Sequence, residues 1–299
     1  MHAKGRGLWG RLALLAAALI WGSSFFVMKN AVDGIPVFLL LGIRFTVGSV
    51  LLALIFCRRL SRLRPRLMLH GCVAGVLLFA AYTLQTFGLA GTTPGKNAFL
   101  TAVYCVLVPF LNWLIIRRRP TGWNWLAAVM CLAGIGLVSL DGDLAIRQGD
   151  LLTLLGGVLF AAHLVAVSRF GEEDDPVLLT LAQFITAAAC CWTGTLTTEA
   201  WPAAWPQNAW MELAYLAVFA TTAALLLQNV GQSVTPAAPA AILLSLESVF
   251  GVLFSVIFYH ETVTPRLLAG FALIFLAVIT SETHFAFLKR RGAAEEPLS

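Results

Sequence analysis

Residues 237–258 read AAPAAILLSLESVFGVLFSVIF, twenty-two positions whose only ionisable side chain is Glu247. About 20 helical residues cross a hydrocarbon layer of about 30 Å, so a run this long and apolar predicts a membrane-spanning helix. A carboxyl at the centre of such a helix costs about 2.5–3.5 kcal/mol on insertion scales, and is retained where it meets a partner or a wet space. Glu247 is the mid-span acid among fifteen Asp and Glu, and Arg44 the base well inside a span among twenty Lys and Arg. Any fold for this chain must house both.

Nine further apolar runs accompany this one, at about 8–28, 36–57, 67–89, 97–116, 123–140, 150–170, 176–197, 210–231 and 266–287. The connections are short and rich in Gly, Pro and Asp, which leaves no room for a soluble domain. Charged residues make up 12% of the 299 positions, against roughly 25% in soluble domains, so the chain reads as a polytopic membrane protein. The first run has a basic start but lacks a convincing small-residue cleavage site, and reads as a span rather than a removed signal. A net charge of +5 would suggest nucleic acid in a soluble protein. Here the bases sort by side instead. If spans alternate, fifteen Lys and Arg (Lys4, Arg6, Arg11, Arg58, Arg59, Arg62, Arg64, Arg66, Arg117–Arg119, Arg169 and Lys289–Arg291) fall on one side, and Lys29, Lys96, Arg147 and Arg266 on the other. That asymmetry predicts cytoplasmic termini and a short cytoplasmic tail over 289–299.

The two halves resemble each other. Leu84-Gln85-Thr86-Phe87-Gly88 followed by Thr93-Pro94 has a counterpart in Leu227-Gln228-Asn229-Val230-Gly231 followed by Thr235-Pro236, and Pro36 with Arg44-Phe45 has one in Pro176 with Gln183-Phe184. The offsets lie between 139 and 143. A repeat of five spans is odd-numbered, so its second copy enters from the opposite side, and such inverted repeats place substrate near the midplane between them. The predicted division is 1–140 and 141–288.

Polar residues at helical spacing mark candidate faces. Tyr82, Gln85 and Thr86 share one face of the third span, and Asn97, Thr101 and Tyr104 one face of the fourth. Gln228, with Thr221, Gln232 and neighbouring Asn229, gives the eighth span a similar face. These groups serve either as hydrogen-bonding glue between helices or as the lining of a wet cavity. His163, at the repeat position of Ser23, and Gln183, at that of Arg44, join the candidates; a span histidine is more often a packing residue than a proton carrier, but titrates near neutrality when free. Glu247 and Arg44 either line a cavity or lock two spans together as a buried pair, and their separation decides between these. Gly251 and Ser255 continue the Glu247 face as a small-residue stripe suited to close packing.

Trp21-Gly22-Ser23-Ser24-Phe25, Arg44-Phe45, Lys96-Asn97-Ala98-Phe99-Leu100-Thr101 with Val108-Pro109, Leu246-Glu247-Ser248 and His260-Glu261 together resemble the EamA family of the drug/metabolite transporter superfamily. The resemblance covers nearly the whole chain. It implies an all-α membrane fold of ten helices, built as two inverted five-helix repeats around a central cavity, that exports or imports small metabolites, and it adds Ser23 and Ser24 to the cavity candidates. Two positions depart from the family pattern: Ser248 stands where proline often follows the glutamate, and His260 where glycine usually precedes the acid.

Other chemistries find little support. Ala90 to Asn97 lacks the first glycine and the final hydroxyl of a phosphate loop. His260-Glu261 lacks the second histidine of a zinc helix, since position 264 is Thr, and Asp141-Gly142-Asp143 has no intramembrane partner. The six cysteines show no C-x-x-C and read as buried small hydrophobes. No cofactor or metal is predicted. The expected protein is a secondary transporter in a bacterial cytoplasmic membrane, contacting lipid and a small amphipathic substrate such as an amino-acid-like compound, with proton coupling as one option, and monomeric or dimeric. A lipid-modifying enzyme using His163 or Glu247 as base, and a non-transporting scaffold, are the alternatives.

Overall fold

A computed structural model describes residues 2–117, 119–140, 146–171, 173–235 and 237–283. The 289–299 tail, the Asp141-Gly142-Asp143 turn and the side chains of Asn229 and Gln232 lie outside the described residues. All described elements are helical apart from an isolated bridge between Leu140 and Ile146. In chain order they are α1 (His2–Val32), α2 (Val37–Ile55), a 3-10 stretch (Cys57–Arg62), α3 (Pro65–Ala90), α4 (Pro94–Thr101), α5 (Val103–Ile116), α6 (Gly122–Ser139), α7 (Gln148–Phe170), α8 (Pro176–Thr198), α9 (Ala209–Ala214), a π-helical stretch (Tyr215–Ala223), α10 (Ala224–Val234), α11 (Ala237–Phe258) and α12 (Pro265–Thr283). Among the described residues nine stretches are long and apolar enough to cross a membrane, and the tenth is α11, apolar over Leu243–Phe258. Two expected spans are not single helices. The fourth is broken at Ala102 between α4 and α5, and the eighth is α9 and α10 joined through the π-helical turn.

Large apolar side chains face outward along these helices: Leu54, Val129, Leu132 and Leu196 are 67%, 63%, 68% and 80% exposed. Hydrocarbon, not water, is the solvent that accepts such a surface. The same surface corrects the expectation for the thiols. Cys105, Cys131 and Cys191 are buried, but Cys57 and Cys72 are exposed, because an apolar run does not tell a lipid-facing position from a core-facing one; all six thiols are free.

Packing follows a two-fold pattern. Three helices pack on their own counterparts in the other half: α2 on α8, α6 on α12, and α4 on α11. The main remaining contacts come in matched pairs. The contact of α3 with α7 is mirrored by that of α10 with α1, that of α1 with α11 by that of α4 and α5 with α7, and that of α3 with α8 by that of the π-helical turn with α2. The backbone keeps the same register: among the described residues the two non-glycine residues with positive φ, Arg117 (63°) and His260 (56°), end the fourth and ninth spans 143 positions apart. A left-handed residue with a Cβ costs about 1–2 kcal/mol relative to glycine. His260→Gly should therefore raise thermal stability by about 1 kcal/mol, read as an upward shift in melting temperature in detergent; a downward shift would show that the imidazole contributes packing that outweighs the strain.

Helix ends in a bilayer need internal partners for their free N–H and C=O groups. At the end with few basic residues, charged side chains from other elements supply them. Glu199 accepts from Phe38 N (2.8 Å) and Leu39 N (2.9 Å) at the start of α2. Lys29 Nζ donates to the carbonyls of Leu89 (3.1 Å) and Ala90 (2.9 Å) at the end of α3. Glu261 accepts from Gly95 N (2.9 Å) and from the hydroxyls of Thr93 and Ser255, closing the start of α4. Arg266 donates to the Leu140 carbonyl beyond α6. Each sign suits the helix dipole it meets. At the other end Arg59 pairs with Asp175, Arg66 with Glu173 and His70 with Asp174, tying the 3-10 stretch and α3 to the turn before α8.

Two glycines set the depth of the central contacts. A Cβ on Gly22 would lie 2.4 Å from Phe250 Cβ and 3.0 Å from the Glu247 carbonyl, and one on Gly251 would lie 2.5 Å from Ala98 Cβ. The small-residue stripe thus seats α11 against α1 and α4 at the level of Glu247. Gly22→Ala should cost about 1–3 kcal/mol, the usual range for overpacking, since the obstruction is backbone and Cβ rather than a flexible tip. A melting curve unchanged from the parent would show that α1 and α11 can separate freely here.

Candidate functional site

Glu247 sits on α11 and is 6% exposed. Tyr104 Oη donates to its Oε1 at 3.1 Å. Tyr104 and Glu247 are 143 positions apart, the offset that also separates Gln85 from Gln228. The two thus occupy equivalent places in the two halves and meet where the fourth and ninth spans cross.

Arg44 sits on α2 and is 2% exposed. Its Nε donates to Thr221 Oγ1 at 3.1 Å, its Nη1 approaches Met28 Sδ at 3.7 Å, and its guanidinium lies 5.4 Å from the centroid of the Tyr82 ring, within cation–π range. Thr221 is fixed in turn by donating to the Leu216 carbonyl five residues back, a geometry the π-helical turn creates. Each charged residue is therefore held by a hydroxyl of the opposite half: Arg44 by Thr221, Glu247 by Tyr104.

The two are not an ion pair. Among the described residues no ion pair joins Arg44 to Glu247, whereas Arg59, Arg66, His70 and Lys96 each pair with an acid. The expected option of a Glu–Arg lock between the second and ninth spans is thus replaced by a relay of rings. Tyr82 packs edge-on against Phe160 at 5.1 Å, and Phe160 lies 6.4 Å from Tyr104. Arg44, Tyr82, Phe160, Tyr104 and Glu247 form one contiguous line across five helices. Tyr82, Tyr104 and Phe160 are only partly buried although other helices surround them, as are Trp21, Ser23, Ser24 and Gln85.

The other candidates divide. Gln85 Nε2 donates to Thr101 Oγ1 (3.0 Å), and Asn97 Nδ2 donates to Thr153 Oγ1 (2.7 Å) and the Gln85 carbonyl (3.2 Å), so this polar face binds α3, α4 and α7 together. Thr86 Oγ1 and Asn97 Oδ1 are buried without a partner, and Gln228 is buried on α10. Ser23 shares a hydrogen bond with Tyr215 Oη and also donates to the Ile20 carbonyl, while Ser24 donates to the Trp21 carbonyl. His163 Nε2 meets Gln183 Oε1 at 2.7 Å, so the repeat equivalents of Ser23 and Arg44 pair with each other. Sequence reasoning missed Phe160 and Tyr215, which carry no polar pattern that sets them apart, and the contact of Trp21 Nε1 with the Ala220 carbonyl (2.8 Å) in the π-helical turn. Among the described residues no group of His, Cys, Asp and Glu is placed to hold a metal ion.

A family model described as the EamA-like transporter family matches twice, over residues 8–140 and 147–282. An uncharacterized transporter from Archaeoglobus fulgidus is 34% identical over 283 residues, which span 91% of this chain and 85% of that protein. The uncharacterized transporter YvbV of Bacillus subtilis is 26% identical over 287 residues, 91% of this chain and 92% of its own. The uncharacterized inner membrane transporter YedA of Escherichia coli is 29% identical over 164 residues, 52% of each chain. A solved crystal structure superposes with a TM-score of 0.67 over 96% of this chain and 99% of its own at 19% identity, a likeness of fold.

Proposed function

The chain belongs to the EamA-like transporter family, and from that premise we propose that it is a secondary transporter that exports small amphipathic metabolites, amino-acid-like compounds among them, by alternating access of its two halves, residues 1–140 and 141–288. One observation carries this reading: Glu247 and Arg44 are buried, unpaired with each other, and each held across the boundary between halves by a single hydroxyl. A structural ion pair would close that boundary. Two separate charges with partly accessible rings between them can instead receive the opposite charges of a polar substrate. A rocking motion of one half against the other works against the hydrogen bonds that cross the boundary, Arg44–Thr221, Tyr104–Glu247, Trp21–Ala220, Ser23–Tyr215 and Asn97–Thr153 among them.

In this reading Glu247 exchanges a proton or a cationic group as the halves rock, and both termini face the cytoplasm, on the side of the fifteen clustered bases. The polar contacts of Gln85, Asn97 and Thr101 hold the wall of the site, and Tyr82, Tyr104, Ser23 and Ser24 face its contents. The test is a comparison of intracellular and extracellular metabolites in cells with and without the intact protein. The expected result is a defined set of small metabolites that accumulates outside only when the protein is present. Identical profiles across a broad panel of metabolites would sink the proposal.

A further inference from the structure

At the end of the bundle with few basic residues, a cleft of about 260 Å³ opens between α1 and α9, with Phe26, Asn30, Asn208, Glu212 and Tyr215 in its walls. Among the described residues the buried and partly buried acids at this end have work to do, with Glu212 as the exception. Asp150 receives Thr92 Oγ1 and pairs with Lys96, Glu199 caps α2, and Glu261 caps α4. Glu212 is partly buried, and among the described residues no hydrogen bond or ion pair engages its carboxylate. Lys29, the basic side chain on the outer half of α1, is committed to the Leu89 and Ala90 carbonyls and does not neutralise it.

A lone carboxylate flanked by aromatic rings and two amides is the chemistry that recognises an ammonium group. Phe26 is fixed by stacking on Phe258 at 5.0 Å, and Tyr215 by stacking on Phe219 at 5.6 Å, so both rings are held in place. We propose that this cleft is a binding site for a primary ammonium carried on a short apolar stem, either a free amphipathic amine or a phosphatidylethanolamine headgroup. An anion is excluded by the carboxylate. The volume falls below the range of about 300–1,000 Å³ typical of drug-sized ligands, which limits the occupant to a small one. Tyr215 also joins this cleft to the centre of the molecule, because its hydroxyl meets Ser23 on the inner side. The site rests on the chemistry of the cleft and does not require that the protein transport anything.

Purified protein in maltoside detergent, which carries no amine, is titrated with phenethylamine and with its neutral analogue 2-phenylethanol by calorimetry. The expected result is saturable binding of the amine, weakened at least tenfold in Glu212→Gln and several-fold in Phe26→Leu, which keeps the carboxylate and removes one ring. A fall in apparent amine affinity on adding phosphatidylethanolamine supports the site with the lipid as its source, and an unchanged affinity supports it with a free amine. Equal binding of amine and alcohol, or undiminished amine binding in Glu212→Gln, overturns the proposal. So does loss of amine binding in Glu247→Gln alone, which would move the amine to the central site.

Discussion

Glu247→Gln abolishes pH-dependent transport in proteoliposomes and leaves the melting temperature within a degree or two of the parent. The substitution is close to isosteric, and a glutamine Oε1 still accepts from Tyr104 Oη, so the hydrogen bond at 3.1 Å survives. What disappears is the ability to carry charge or a proton. The loss in initial rate should reach about 100-fold, which corresponds to about 2.7 kcal/mol. A merely structural role predicts a different pattern, in which stability falls and flux falls only with the amount of folded protein. Tyr104→Phe separates the two further. It removes one hydrogen bond to a charged group, about 1.5–3 kcal/mol in stability, yet keeps the titrating acid in place. Full flux with an unchanged pH profile in Glu247→Gln would end the coupling role.

The depth of each residue was legible in the sequence, but its direction was not. Runs of about 20 apolar residues place Glu247 and Arg44 mid-span whatever face they occupy, and the similar offsets of Gln85 with Gln228 (143) and of Pro36 with Pro176 (140) reveal the repeat. Rotation about the helix axis is another matter. An all-apolar helix has little amphipathic signal to say which face meets lipid, which is why Cys57 and Cys72 read as buried and are exposed. The same blindness made a Glu–Arg pair look plausible, when Arg44 turns to Thr221 and Tyr82 and Glu247 turns to Tyr104. The break at Ala102 and the π-helical turn over Tyr215–Ala223 lack sequence punctuation such as proline or glycine at the break itself. The π-helical turn directs Thr221 toward Arg44 and presents the Ala220 carbonyl to Trp21, contacts between distant spans that a local reading does not reach. Glycines, by contrast, could be read correctly as close-packing positions, because Gly251 lies on the Glu247 face at a spacing of one turn.

Arg44 yields the sharper test, because its environment sets stability and function against each other. A buried cation with no carboxylate partner costs several kcal/mol in desolvation, since no opposing charge offsets it. Its visible compensation is a hydrogen bond from Nε to Thr221, about 1.5–3 kcal/mol for a charged donor, a cation–π contact with Tyr82 of up to about 2 kcal/mol, and a weak contact of Nη1 with Met28 Sδ. The two sides roughly cancel. Replacing Arg44 with methionine fills a similar volume, deletes the charge, and leaves Thr221 satisfied through its bond to the Leu216 carbonyl. Arg44→Met should therefore melt at the same temperature as the parent or above it, and lose transport by more than tenfold. Arg44→Lys should be worse on both counts, because an ammonium keeps the desolvation cost and cannot reproduce the directional Nε contact while lying flat over the Tyr82 ring. If Arg44 were a structural lock, the order would invert: methionine would destabilise by several kcal/mol, lysine would partly rescue, and flux per folded molecule would persist. Melting curves and initial rates on the same three preparations decide between these, since only a residue retained for what passes through the site is expected to make the protein less stable by its presence.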